Sequence, residues 1–338
     1  MLSMLGLFGA LFASVLADSM FGHPSSHDPA DGDGQGGAGE ADGTTVPQTT
    51  NLLDDPAGMP QSDDLPDAVD ADETLTGGEL DDILTGNGGR DLVAGGNGDD
   101  LLGGRSGDDT IDGGDGKDWV DGGEGADLVS GGNDTDNLQG EDGNDTLSGD
   151  AGDDTLAGQE GADDLAGGDG NDSLIGGGGD DLVIGGAGDD TSQGGDGDDL
   201  MAGGAGSDEQ DGGDGNDTIW GQDPGGDDDN STDFLNGGAG DDELRVGAGD
   251  YANGGDGADL FMLDDINAGD AVPQITDYNS AEDELVLLYD PNLHPDPELT
   301  MDHSDGSSDV TLMLDGVPVA VVIGGAGMQT ADVALIAA

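Results

Sequence analysis

From Asp82 to Asp217 every ninth residue is aspartate, sixteen in succession, and the first residue of each nine-residue unit, from Gly77 to Gly212, is glycine. The eighth position is apolar in fourteen of these sixteen units, running Leu84, Val93, Leu102, Ile111, Val120, Val129, Leu138 and onward to Ile219; Ser192 and Gln210 are the exceptions. One inward apolar residue per short strand cannot enclose a core within a unit, so neighbouring units must stack. Two units per coil set strands from alternate units side by side in parallel, about 4.8 Å apart, and sixteen units then make a rod of roughly 38 Å with two facing apolar columns.

The pattern frays at its ends. Glu73 and Leu75 fall in register one unit before Asp82 and read as a capping half-coil. Residues 221–236 fit as one unit with a seven-residue insertion containing DPGGDDD, after which Asp233 and Leu235 resume the pattern. Asp242 with Leu244, and Asp259 with Phe261, close an array assigned to residues 71–262; between them VGAGDYAN is one residue short.

The units GGNGDDLLG at 95–103 and GGDGNDTIW at 212–220 resemble the repeat GGxGxDxUx of the RTX (repeats-in-toxin) hemolysin-type family of calcium-binding proteins. That resemblance implies an all-β fold, a parallel β-roll stapled by calcium, with each ion held between turns stacked on the same side. By the same resemblance Asp82 would share an ion with Asp100, and Asp91 with Asp109. Asn87, Arg105, Glu141, Asp150 and Gln159 replace the second glycine, and Leu80 and Asp134 the fourth-position one, which leaves the backbone geometry of each of those turns open.

Coordination chemistry points the same way. Glycine gives up more backbone entropy on ordering than any other residue, so turns this glycine-rich need an external agent to fix them. A hard cation that takes about six to eight oxygens can use a carboxylate from the sixth position and main-chain carbonyls exposed by the glycines. Calcium fits best, since magnesium demands near-ideal octahedral geometry and the imidazole and thiolate ligands of zinc or copper are absent from the repeats. The candidate ligands are Asp82, Asp91, Asp100, Asp109, Asp118, Asp127, Asp136, Asp145, Asp154, Asp163, Asp172, Asp181, Asp190, Asp199, Asp208, Asp217, Asp233, Asp242 and Asp259. Extra acids at the third and fifth positions, such as Asp115 and Asp198, are assigned mostly to the solvated face.

Composition bounds what such a chain can do. Only 32% of residues are hydrophobic and 3% aromatic, there is no cysteine, and 79 acids stand against four bases for a formal charge of −75. A field of that sign repels nucleic acid and anionic membrane surfaces and selects cations as partners. Nineteen units stacked pairwise offer about seventeen sites and would take up roughly 34 positive charges. Without them like-charged turns repel, so the array is expected to be unfolded at cytosolic calcium and to fold outside the cell.

Residues 1–17, MLSMLGLFGALFASVLA, form the one strongly apolar run and read as a signal or an anchor, and 18–70 as a disordered acidic linker. Beyond the array, residues 263–338 carry ordinary strand patterns: PQITDY, DELVLLY and DVTLMLDGVPVAVVI, the last alternating about Asp315-Gly316 like a hairpin, and together they read as a small β cap. MQTADVALIAA resembles an uncleaved C-terminal signal for type I export, or alternatively a short terminal helix capped by Thr330. No H-E-x-x-H or G-x-S-x-G is present. The expectation is a secreted, extracellular, non-catalytic calcium-binding protein, with a type I secretion apparatus as its export partner. The alternatives are an enzyme with its chemistry in the C-terminal 76 residues, and an adhesin anchored by residues 1–17.

Overall fold

Each unit contributes one short strand followed by a turn, as in Leu92–Asn97, Leu101–Ser106 and Thr110–Asp115. Inside the strand the inward side chains are the eighth-position apolar residue and the next unit's first glycine, which gives Leu92–Asn97 its alternation of exposed and buried positions. A glycine and one apolar side chain per strand leave room for only a thin core. The computed structural model describes residues 71–221, 231–263, 270–303 and 308–337. The readings of residues 1–17 and 18–70, and the DPGGDDD insertion, lie outside them.

Strands pair in parallel with a register of eighteen residues, so Val93 faces Ile111 and Leu102 faces Val120. Alternate units therefore enter opposite sheets, one of 13 strands and one of 14, which makes the chain a parallel β-solenoid with the architecture of a β-roll. The two apolar columns expected from the sequence are present: Leu84, Leu102, Val120, Leu138, Leu156 and Leu174 line one sheet, and Val93, Ile111, Val129, Leu147, Leu165 and Val183 the other, none more than 4% exposed. Thr74–Thr76 adds the half-coil before the first unit, pairing Leu75 with Val93. Across the insertion the register lengthens to twenty-five residues, Gln210 opposite Leu235, and the ladder continues unbroken.

The sheets do not stop at residue 262. Leu260–Leu263 pairs with Glu284–Tyr289, which pairs in turn with Val333–Ala337. The other sheet continues through Gln274–Ile275 into the hairpin Val310–Leu314 and Val317–Val322, whose turn is Asp315-Gly316, and ends at Leu299–Asp302. Val310, Leu312, Val319, Ala320 and Val322 form a conventional apolar core here. The terminal helix entertained for MQTADVALIAA is not what forms. Only Thr330–Asp332 makes a single 3₁₀ turn, with Gln329 rather than Thr330 at its N-cap, and Val333–Ala337 then runs as a strand. The open edge of Glu284–Tyr289 gives that apolar stretch a partner.

Candidate metal centre

Every sixth-position aspartate named above lies within the described residues, and each is at most 5% exposed. Burying a row of carboxylates is costly unless each is paired, so their partners decide what the site can do. Oδ1 is accounted for in the same way along the array. In Asp100 it accepts the main-chain N–H of Asp82, one coil earlier, at 2.7 Å; Asp118 does the same for Asp100 at 2.8 Å, and Asp109 for Asp91 at 2.7 Å. The pairs Asp82 with Asp100 and Asp91 with Asp109 are thus brought together on adjacent coils. After the insertion Asp233 takes the N–H of Asp208 and Asp242 that of Asp217, across twenty-five residues.

Oδ2 behaves differently. In twelve consecutive aspartates, Asp100 to Asp199, and again in Asp217 and Asp242, it is buried with no hydrogen-bond donor. Its neighbours are oxygens. At Gly149, a first-position residue facing inward, an added Cβ would lie 2.6 Å from Asp154 Oδ2 and 2.5 Å from the Gly167 carbonyl of the next coil. Carboxylate and carbonyl oxygen therefore approach one point that only glycine leaves open, and the same arrangement recurs with Gly122, Asp127 and Gly140. Among the described residues no three carboxylate or imidazole side chains converge on a common point. A cation held here would draw most of its oxygens from the main chain, which suits a hard ion and a glycine-built turn.

Electrostatics shows the same demand. Burial, reinforced by the carboxylates stacked above and below and only partly offset by the main-chain N–H, pushes Asp127, Asp136, Asp199 and Asp242 up to about 7. Asp118, Asp145, Asp154, Asp181 and Asp190 are raised to about 6 by the same causes. A calcium ion bound beside them would supply the positive charge that restores the ionised form.

Five of the seven turn positions that lack their glycine keep the left-handed shape. Arg105, Glu141, Asp150 and Gln159 at the second position, and Asp134 at the fourth, all hold φ between 69° and 82° in the left-handed region. Stacking thus imposes a conformation that costs an L-residue about 1 kcal/mol or more. Asn87 and Leu80, in the first two turns, do not adopt it.

Three features escaped the sequence. Asp250 occupies a sixth position in the short unit: it is 3% exposed, its Oδ1 accepts the Asp233 N–H at 3.1 Å, and Ala252 two residues on is buried against Leu235. The deletion falls inside the turn, and Asp-Tyr-Ala followed by Asn-Gly-Gly was the available signal. Asp283 extends the row into the cap, its Oδ1 accepting the Asp259 N–H at 3.2 Å while Leu285 pairs with Phe261. Fifth-position acids, assigned above mostly to the solvated face, are exposed yet also form a ladder running the other way. Asp153 Oδ1 accepts the Asn171 N–H of the following coil, Asp180 that of Asp198, and Asp198 that of Asn216.

The model of the RTX calcium-binding nonapeptide repeat (4 copies) matches residues 67–102, 103–129, 130–165, 158–192, 175–210 and 193–223. No curated protein matches the chain. A nine-residue glycine-aspartate period, a parallel roll and a buried row of carboxylate oxygens without donors therefore meet in one stretch, and residues 67–223 belong to the RTX calcium-binding nonapeptide repeat family.

Proposed function

We propose that this calcium-binding repeat protein is secreted, carries no catalysis of its own, and folds when it meets extracellular calcium. The observation that carries this reading is the run of buried Oδ2 atoms from Asp100 to Asp199, each lacking a donor and each beside inward-facing glycine. A chain with so thin a core cannot keep such a row ionised by itself, so binding free energy becomes folding free energy. The proposed ligand set is the nineteen aspartates from Asp82 to Asp259 identified by the period, less Asp82 and Asp91, whose Oδ2 atoms, like that of Asp250, already accept main-chain N–H groups and close the ends of the array. Extracellular repeat modules of this kind bind in the range of about 0.1 to 1 mM, above cytosolic calcium and near that outside the cell.

Export follows from that difference in concentration: a chain unfolded in low calcium can pass a type I apparatus and fold beyond it. Residues 1–17, read as a signal or an anchor, offer a second route to the exterior. The non-catalytic reading rests on the absence from the sequence of recognisable hydrolase or metalloprotease motifs. Calorimetry of the full chain should show more than about ten calcium ions bound per molecule, and intact mass of the protein recovered from the medium should show whether residues 1–17 were removed. One or two ions per chain would remove the ligand assignment. Retention of folded protein inside the producing cell would remove the secretory part.

A further inference from the structure

Outward side chains at the seventh position form one column per sheet, and on the 14-stranded sheet that column is polar from Asn137 to Glu209. Its first three members are not. Ile83, Leu101 and Trp119 lie in register on adjacent strands and are 62%, 47% and 50% exposed. Beside them Thr85 and Gly103 leave a shallow trough, where a Cβ on Gly103 would meet nothing closer than 3.7 Å. An apolar row of this kind on a chain of charge −75 is out of place unless something covers it.

Positive charge is concentrated in the same coils. Arg90, Arg105 and Lys117 are three of the four basic residues in the chain, and all lie between residues 90 and 117. Their side chains do little for the roll. Arg105 holds φ at +82° where the stacked residue of the next coil is Gly123, and it reaches only the neutral side-chain oxygen of Asn87 at 3.3 Å. Lys117, two residues before Trp119, makes no ion pair among the described residues, and Arg90 makes an exposed one with Asp108. Surface pairs of that kind contribute little stability.

The occupant that matches is in the chain itself. Residues 51–70, NLLDDPAGMPQSDDLPDAVD, combine Leu52, Leu53, Met59, Leu65 and Val69 with six aspartates and no base, and they lead directly into the first coil at Ala71. We propose that this stretch docks on the Ile83–Leu101–Trp119 row, its leucines on the apolar side chains and its aspartates toward Lys117 and Arg105. About 18 residues separate Leu53 from the roll, enough for a flexible chain to span roughly 23 Å, whereas the three strands occupy only about 10 Å. Tethering makes the encounter intramolecular, so weak contacts suffice.

The test uses the full chain in saturating calcium. With Trp220→Phe, Trp119 is the sole indole, and because the chain has no cysteine, Gly58→Cys supplies a single thiol for a nitroxide label. Docking predicts that the nitroxide lowers Trp119 emission by about half or more relative to a diamagnetic label, independently of protein concentration. Leu52→Ser with Leu53→Ser, which lie outside the roll, should restore emission, and so should Lys117→Glu in a protein whose circular dichroism is unchanged. Equal emission with the two labels overturns the proposal. So does quenching that appears only when a labelled copy lacking both tryptophans is mixed with an unlabelled one, since that outcome seats a second copy on the row.

Discussion

The first coils and the middle of the roll present the same aspartate at the same position in two different states. Asp82 Oδ2 accepts the Gly78 N–H at 2.8 Å and Asp91 Oδ2 that of Asn87 at 3.2 Å, so both oxygens are occupied by the protein itself. At the far end Asp250 is held by Gly247 and Asp283 by Asn279, at 2.7 and 2.6 Å. From Asp100 to Asp199 Oδ2 has no such donor. The turns differ at the second position: Gly78 and Asn87 are not left-handed, whereas second-position residues from Gly96 to Gly213 are, in register from coil to coil. Sign of φ at the second turn residue thus separates carboxylates whose Oδ2 accepts a main-chain N–H from carboxylates whose Oδ2 has no donor. The ends are closed by hydrogen bonds, and the middle is where the proposed calcium ligands lie.

Protons offer the broadest way to break that contrast. Burial raises the middle carboxylates in the fold, Asp127 and Asp136 to about 7 and Asp145 and Asp154 to about 6, from about 3.9 in an unfolded chain. Between those limits the folded state binds more protons, so its stability in chelator is greatest at low pH and is lost as pH rises through 6 to 7. Circular dichroism in chelator should therefore show β structure at pH 4.5 that vanishes by about pH 7.5, while in calcium the midpoint of the titration should rise as pH falls. A chelated chain equally unfolded at both pH values would show that the carboxylates are not what opposes folding.

Single substitutions sharpen the comparison. Asp145→Asn removes an unpaired Oδ2 from the middle and should raise the calcium midpoint by about three- to tenfold, whereas Asp82→Asn, at the self-satisfied end, should change it by less than about twofold. Equal shifts would erase the distinction between end and middle. A smaller effect is expected where the core turns polar. Ser192 and Gln210 are 4% and 1% exposed and stack on adjacent coils, but they do not satisfy each other: Gln210 Nε2 donates to the Trp220 carbonyl at 2.9 Å and Oε1 stays unpaired. An unmet acceptor costs about 1 to 3 kcal/mol, so limited proteolysis at intermediate calcium should cut first within residues 222–231. Ser192→Leu with Gln210→Leu should delay that cut, and first cleavage within 95–183 would contradict the assignment.

The smallest effect belongs to the exposed ladder. Asp153→Ala deprives the Asn171 N–H of its acceptor and should lower stability by up to about 1 kcal/mol, seen as a slightly lower melting temperature in saturating calcium. Asp153→Asn keeps an oxygen there and should have almost none of that effect despite the same loss of charge. Indistinguishable melting of the two variants would return the fifth-position acids to the solvent.

Register, sheet number and both apolar columns were legible because a strict period of nine forces the stacking of every unit on the one eighteen residues away. Asp250 was not, because its turn is one residue short and its core residue is only alanine; Asp283 was not, because no glycine precedes it in register. Val333–Ala337 was ambiguous for a different reason, since a short apolar run reads equally as strand or helix until a sheet edge offers it pairing. The distinction between capped and uncapped carboxylates lay beyond any pattern. Gly78 and Gly96 are the same residue in the same place, and only the stacked backbone tells their torsion angles apart.

Hydrogen exchange of the full chain, followed peptide by peptide in calcium and in chelator at pH 7.5, tests the central claim most directly. The account predicts that amides between residues 95 and 203 are strongly protected in calcium, exchange at close to unfolded rates in chelator, and gain protection together as calcium is restored. Equal protection of those coils in chelator would mean that the buried carboxylate row is stable without a cation, and would contradict it.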